Sequence, residues 1–188
     1  MEPFTFAGFR VALRPLTMDD LDAIMEWIND PEVTKNFAGM SAQITREQEA
    51  AFLEGVFASD TDRLYAVIDT EGRYLGNAGI HKIYWPAKNG RLGLVLGAKQ
   101  ARGRGYGQEA MKLLAARGFL DLGLHKLWLV HYSTNARMAH IATKLGFVPE
   151  GRLREEYFHG GEYHDMVRYG LLEQDFAALA PAWGTIGA

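Results

Sequence analysis

The segment that most constrains this chain runs from residue 99 to residue 107 and reads Lys-Gln-Ala-Arg-Gly-Arg-Gly-Tyr-Gly. A run of β-forming character, Arg91 to Leu96, enters it. A helical stripe of Met111, Leu114, Ala115, Gly118 and Leu122 leaves it. Gly103, Gly105 and Gly107 let the backbone turn tightly and let a ligand approach the amides closely. The first-turn amides of the following helix have no partner inside it, and the dipole adds about half a positive charge there. Lys99, Arg102 and Arg104 bracket the bend. A strand, a glycine bend and a helix N-terminus in that order make an anion site suited to phosphate.

Several readings of this bend compete. Gly105, Gly107 and Ala110 satisfy G-x-G-x-x-A, the dinucleotide fingerprint. Against it, the preceding strand closes a meander, and no acidic residue ends the next strand, where a ribose partner belongs. A P-loop is excluded, because no Gly-Lys-Ser/Thr follows. An arginine–glycine contact to RNA and a solvated glycine turn stay open.

Composition narrows the field. The chain has 188 residues, 48% hydrophobic and 23% charged, an ordinary globular mixture whose length fits one domain over 1–188. Lys and Arg number 20 against 23 Asp and Glu, a net charge of −3. A nucleic-acid partner is therefore not expected, and the cations at the bend mark a local site for a polyanion. With no cysteine, disulfide frameworks, thiolate metal sites and cysteine nucleophiles are excluded. No apolar run approaches the ~18 residues of a membrane span. The opening Met-Glu-Pro-Phe-Thr-Phe lacks the flank of a secretion signal. The expectation is a cytoplasmic protein with no membrane partner.

Periodicity places the elements. Phe9 to Leu16 reads as an edge strand. Thr17 caps a helix through Leu21, Ile24, Met25 and Ile28, which Asn29-Asp30-Pro31 stops. Thr45 and Gln48 form a capping box ahead of a second helix to about Ser59. Leu64–Asp69, Tyr74–Tyr84 and Arg91–Leu96 form an antiparallel meander, followed by the glycine bend and a helix to about Leu122. Lys126–Tyr132 is a strand and Asn135–Leu145 a helix, with Gly146 as its stop. Val148–Phe158 and Tyr163–Glu173 are strands around the turn His159-Gly160-Gly161-Glu162. The order is that of one α/β domain with a mixed sheet.

Few side chains offer acid–base chemistry. His81 lies on the third strand, and a histidine needs little tuning to work near neutrality. Tyr132 shares a face with Val130 by strand alternation, while His131 and Ser133 face the other way. His125, His131, His140, His159 and His164 lack ligand spacing, so no metal is expected, and no H-E-x-x-H or G-x-S-x-G occurs. Trp27, Phe37, Phe52 and Trp85 read as core and groove wall.

Arg-Gly-Arg-Gly-Tyr-Gly at 102–107 resembles the Q/R-x-x-G-x-G/A signature of the GNAT superfamily of N-acetyltransferases. The helix opened by Asn135 and closed by Lys144-Leu145-Gly146-Phe147 is similar to that family's second conserved block. Leu13-Arg14-Pro15-Leu16 through Trp27-Ile28-Asn29-Asp30-Pro31 resembles the branch acting on ribosomal-protein N-termini (RimJ/RimL-like). So does Glu150-Gly151-Arg152-Leu153-Arg154-Glu155 with Asp165-Met166-Val167-Arg168-Tyr169-Gly170.

The resemblance covers nearly the whole chain and implies an α/β (α+β) fold. Its central sheet is mixed and mostly antiparallel, with helices on both faces and a splayed fourth/fifth strand pair. Acetyl-CoA is implied as co-substrate, and direct attack by a primary amine as the reaction. Val95, Leu96 and Gly97 would hydrogen-bond the pantetheine arm through their backbone. Arg102 and the amides of Gly103, Arg104, Gly105, Tyr106, Gly107 and Gln108 would hold the pyrophosphate. Asn135 would meet the pantetheine or the thioester end, and Glu155 and Tyr157 would line the acceptor groove with Trp27. The oligomeric state would be monomer or homodimer.

The family's usual acids and bases do not carry over: their positions are Arg91, Val130, Met138 and Ala142 here. His81 and Tyr132 are the substitutes. An amine of pKa ~10.4 takes about 4–5 kcal/mol to deprotonate at neutral pH, against about 1 kcal/mol for an α-amine of pKa ~7.8. This favours an α-amine or another weakly basic amine, and the RimJ/RimL-like resemblance implies a protein or peptide N-terminus as acceptor. A polyamine, aminoglycoside or amino acid is the alternative, and a non-catalytic acyl-CoA sensor a further one.

Overall fold

The computed structural model describes residues 3–34, 43–101 and 103–184; Arg102 and Phe37 lie outside these. Its strands are β1 (Val11–Pro15), β2 (Arg63–Asp69), β3 (Tyr74–Tyr84), β4 (Asn89–Leu96), β5 (Lys126–Tyr132), β6 (Val148–His159) and β7 (Glu162–Leu172). They form one seven-stranded sheet in the order β1-β2-β3-β4-β5-β7-β6. Only β4 and β5 run parallel; the other neighbours are antiparallel. This is the mixed, mostly antiparallel sheet expected.

Helices cover both faces. On one, α4 (Tyr106–Ala116) buries Met111, Leu113 and Leu114 against Ile80, Leu92, Leu127 and Leu129. Gly118 lets the chain beyond α4 lie on β5, since a Cβ there would be 2.9 Å from both Leu127 methyls. On the other face lie α1 (Leu21–Met25), α2 (Pro31–Thr34) and α3 (Arg46–Phe57), and Ile24 of α1, Trp27 of the turn after it and Leu53 of α3 cluster with Ala66 and Ile68.

Local rules explain most boundaries. The Thr45–Gln48 capping box forms, with Gln48 N donating to Thr45 Oγ1 at 3.3 Å and Thr45 N to Gln48 Oε1 at 2.8 Å. Gly160 (φ 62°) and Gly161 (φ 88°) make the two-residue turn between β6 and β7. Gly146 (φ 84°) ends α5 (Ala136–Lys144).

Three boundaries differ from the sequence reading. The first helix ends at Met25, ahead of the Asn29-Asp30-Pro31 stop, and Pro31 opens α2, because proline suits a first helical turn and Asp30 Oδ1 accepts the Glu32 amide at 2.9 Å. The α4 helix ends at Ala116 and continues as one wide π turn to Asp121. After Leu172 the chain forms α6 (Glu173–Leu179), which the short apolar signal did not reveal. Phe176 holds it by stacking on Phe119 at 4.7 Å.

Gly76 (φ 155°) is required where β3 meets β4, since a Cβ there would lie 2.0 Å from the Val95 carbonyl oxygen. Backbone cannot rotate away as a side chain can. Gly76→Ala is expected to lower stability by about 1–3 kcal/mol with little change in the denaturant slope, measured by urea unfolding.

Candidate active site

The site begins where two strands separate. Pairing of β4 with β5 joins Asn89 to Lys126, Gly90 to Leu127 and Arg91 to Trp128, and stops there. Beyond this row β4 stays on β3 as far as Leu96, and β5 stays on β7 as far as Tyr132. The inner edges of both strands therefore face a gap, the splay expected of the fourth and fifth strands.

The backbone groups presented to the gap differ in part from those expected. The Val95 carbonyl points at Gly76 on β3, so Val95 is turned away from the gap. Alternation along β4 directs the backbone of Leu94 and Leu96 into the gap; Gly97 lies just past the end of β4, and the next amide, of Ala98, donates to the Leu75 carbonyl at 3.1 Å. Of the two expected residues within β4, Leu96 is suitably placed and Val95 is not, and Leu94 was missed. Gly97 has another role: a Cβ there would lie 2.1 Å from Trp27 Cγ. Trp27, only 6% exposed, packs flat on that backbone and is a buried wall, not a surface for an acceptor.

At the C-terminal end of the gap stands the glycine bend. Gly103 (φ 74°) and Gly105 (φ 81°) take the left-handed conformation, and Gly105 caps α4. The amides of Gly103, Arg104, Gly105, Tyr106 and Gly107 meet no acceptor among the described residues. The Gln108 amide, expected to join them, instead donates to the Gly105 carbonyl at 3.0 Å, closing the first helical turn. Arg104 is exposed beside these amides.

Arg10 adds a cation that the sequence reading did not find. Its guanidinium lies 5.1 Å from the Tyr106 ring centre, and its Nη2 would be 3.3 Å from a Cβ on Gly105. Glu109, in the first turn of α4, accepts from Arg10 N at 2.8 Å and from Nε at 2.9 Å. The partners are 99 positions apart, so no local pattern announces them.

The β5 side supplies aromatic and polar groups. Tyr132 is 5% exposed, edge-on to Tyr157 at 6.3 Å and to His164 at 5.3 Å. Its hydroxyl finds no partner among the described residues, and burial raises its pKa. Asn135 caps α5, its Oδ1 accepting the Met138 amide at 3.0 Å. His131 faces the core, stacked on Tyr169 at 5.4 Å. A β6 bulge lies beside this end of β5, since Ser133 N donates to the Asp165 carbonyl at 2.9 Å. Asp165 Oδ1 accepts the Glu155 amide at 2.7 Å, which sets Glu155 at φ 52° with its side chain in solvent. Tyr132 and Tyr157 are thus brought together, while Trp27 lies apart from them.

On the β4 side, His81 pairs across strands with Arg91, and Arg91 pairs with Trp128. His81, Arg91, Trp128 and, by alternation, Tyr132 therefore share one face of the sheet. His81 Nδ1 is 3.0 Å from Asp62 Oδ1.

Two substitutions separate the roles of the glycines. Gly105→Ala forces a side chain into the left-handed region and is expected to lose about 1 kcal/mol of stability. At Gly107 a Cβ would meet nothing closer than 3.5 Å, so Gly107→Ala is expected to gain about 0.5 kcal/mol. Thermal unfolding of both variants reads the difference.

The sequence profile described as "Acetyltransferase (GNAT) domain" matches residues 10–148. Spermidine N(1)-acetyltransferase of Escherichia coli strain K12 is 26% identical over 168 residues, covering 89% of each chain. The crystal structure of spermidine N-acetyltransferase from Vibrio cholerae in complex with CoA and spermine superposes with a TM-score of 0.83 at 22% identity. It covers 89% of this chain and 98% of that one. A Bacillus subtilis protein provisionally named a ribosomal N-acetyltransferase, YdaF, is 24% identical over 118 residues, covering 63% of this chain and 64% of its own. The glycine bend, the parted strands and this match over most of the chain agree: the protein belongs to the GNAT family and is an N-acetyltransferase that uses acetyl-CoA.

Proposed function

We propose that this enzyme acetylates a primary amine of a small polyamine of the spermidine type. The observation that carries the reading is the end-to-end similarity to enzymes named for spermidine acetylation, over 89% of this chain. The protein N-terminus, expected from the RimJ/RimL-like resemblance, is the second reading, supported by the shorter match to YdaF. Charge favours the first. Glu155 and Glu156 on the β6 bulge are exposed and form no ion pair among the described residues, so both are open to an ammonium group.

In this reading the amides from Gly103 to Gly107, which meet no acceptor among the described residues, take the diphosphate of acetyl-CoA with Arg104 and Arg10. The backbone of Leu94 and Leu96 aligns the uncharged arm, as an added strand would. Asn135 retains its side-chain Nδ2 for the same arm, since only its Oδ1 is engaged in capping. Acetyl-CoA supplies a thioester carbonyl open to an amine. Tyr132 is the proton donor to the leaving sulfur: burial keeps its hydroxyl protonated at neutral pH, as an acid must be.

Initial rates with spermidine, a peptide N-terminus and a lysine side chain decide between the readings. A higher kcat/KM for spermidine is expected, and a preference for the peptide would overturn it. Tyr132→Phe is expected to lower kcat about 10²-fold. Its stability should stay within about 1 kcal/mol of wild type or rise, because an unpaired buried hydroxyl is removed. A structural tyrosine would give the reverse pattern.

A further inference from the structure

We propose that His81 is the proton acceptor for the incoming amine and that Asp62 is its positioning residue. The inference rests on the reading of an amine acetyltransferase, and the demand is greatest for a polyamine, whose ammonium groups hold their protons tightly.

Four observations carry it. First, His81 stands in the row His81–Arg91–Trp128 across β3, β4 and β5, the last row before the strands part. It is therefore at the closed end of the gap, on the same face as Tyr132. Second, its ring is folded back over a bare stretch of sheet. A Cβ at Gly79 would lie 2.5 Å from His81 Nε2, and one at Gly93 would lie 3.4 Å from it. Gly79 and Gly93 are themselves cross-strand partners, so the imidazole rests where two side chains would otherwise be.

Third, the ring is aimed. Asp62 Oδ1 lies 3.0 Å from His81 Nδ1, while Asp62 Oδ2 accepts from Ser59 Oγ at 2.8 Å and Thr61 Oγ1 at 3.1 Å. The segment is pinned to β3 by Ile83 N donating to the Thr61 carbonyl at 2.9 Å. A carboxylate so held selects the Nδ1–H tautomer and leaves Nε2 as the acceptor. Nε2 forms no hydrogen bond with the described residues. Fourth, β3 bulges immediately after His81, and Lys82 takes φ 51°. A bulge re-aims the side chains beside it, and a left-handed non-glycine residue is retained only where the surroundings impose it.

The charges facing the imidazole are Asp62 before β2, Arg91 on β4 and Lys82 on β3. Burial lowers the His81 pKa; the Asp62 hydrogen bond opposes this and Arg91 reinforces it. The ring is thus neutral at pH 7 and can take a proton. His81 Nε2 accepts one proton from the ammonium, directly or through a water, and returns it to solvent after turnover. The nitrogen lone pair forms the C–N bond as the C–S pair leaves with sulfur. The second proton lost by nitrogen is balanced by the one the sulfur gains.

The test combines pH profiles with histidine NMR on the protein free of acetyl-CoA. His81 is expected to titrate below the ordinary histidine pKa as the Nδ1–H tautomer, matching the acid limb of kcat/KM. Asp62→Asn removes the interaction that raises the His81 pKa, so its limb should move to lower pH. Its kcat should fall roughly 10-fold or more with KM for acetyl-CoA unchanged. His81→Gln should abolish the limb and lower kcat about 10²-fold. An unmoved limb, a kcat within threefold of wild type in His81→Gln, or an Nε2–H tautomer would overturn the proposal. Where a variant does not fold, a mismatch between the wild-type His81 titration and the limb overturns it equally. If spermidine is not acetylated but another amine is, the substrate reading fails and the dyad is judged on that amine. Turnover of no amine overturns both.

Discussion

Hydrogen bonding between β4 and β5 ends at Arg91 and Trp128, and the rest of the site follows from that termination. Each strand continues because its outer neighbour still holds it, β3 for β4 and β7 for β5. The sheet keeps its rigidity while two inner edges are left without strand partners. Unpaired edges normally invite association. Here they face each other across a gap inside the sheet, where an extended, amide-bearing arm could supply the missing partner.

Different physics operates at the two ends of this gap. At the glycine bend, amides with no acceptor among the described residues, a helix N-terminus and Arg104 concentrate positive potential in a chain whose net charge is −3, with the Glu109-paired Arg10 beside them. Glu109 fixes Arg10 there without occupying the amides. At the closed end the groups are polar and sparse, a histidine held by a carboxylate and an arginine; further along β5, at its last residue, Tyr132 buries a hydroxyl with no partner among the described residues. An unsatisfied buried hydroxyl works against folding by about 1–3 kcal/mol. The left-handed Lys82 and the β3 bulge place a second strained element next to His81.

Features encoded within a few residues were legible in the sequence. The Thr45–Gln48 box, the Gly160–Gly161 turn, the Gly146 stop and the strand–glycine–helix bend each depend on neighbours in the chain, and each is found where the pattern places it. Features that depend on distant packing were not legible. Trp27 is buried because Gly97, far along the chain, offers a bare backbone to its ring. Helix α6 is too short to carry a clear period and is held by aromatic stacking. Which of Val95 and Leu96 faces the gap depends on which residue of β3 each one meets, and one position of register inverts the answer. Asp62 and His81 lie 19 positions apart in the chain, and only the pairing of β2 with β3 brings them together.

By itself, then, the sequence determined the kinds of elements, their order and the anion-binding bend, because hydrophobic period, capping and glycine geometry act over one or two turns of chain. Only the tertiary structure decided where the sheet opens, which backbone groups line the opening, and which acid orients which base. Those are questions of register and of contacts between residues far apart in the chain. They are settled when whole strands choose their neighbours, and no local stretch of sequence carries that choice.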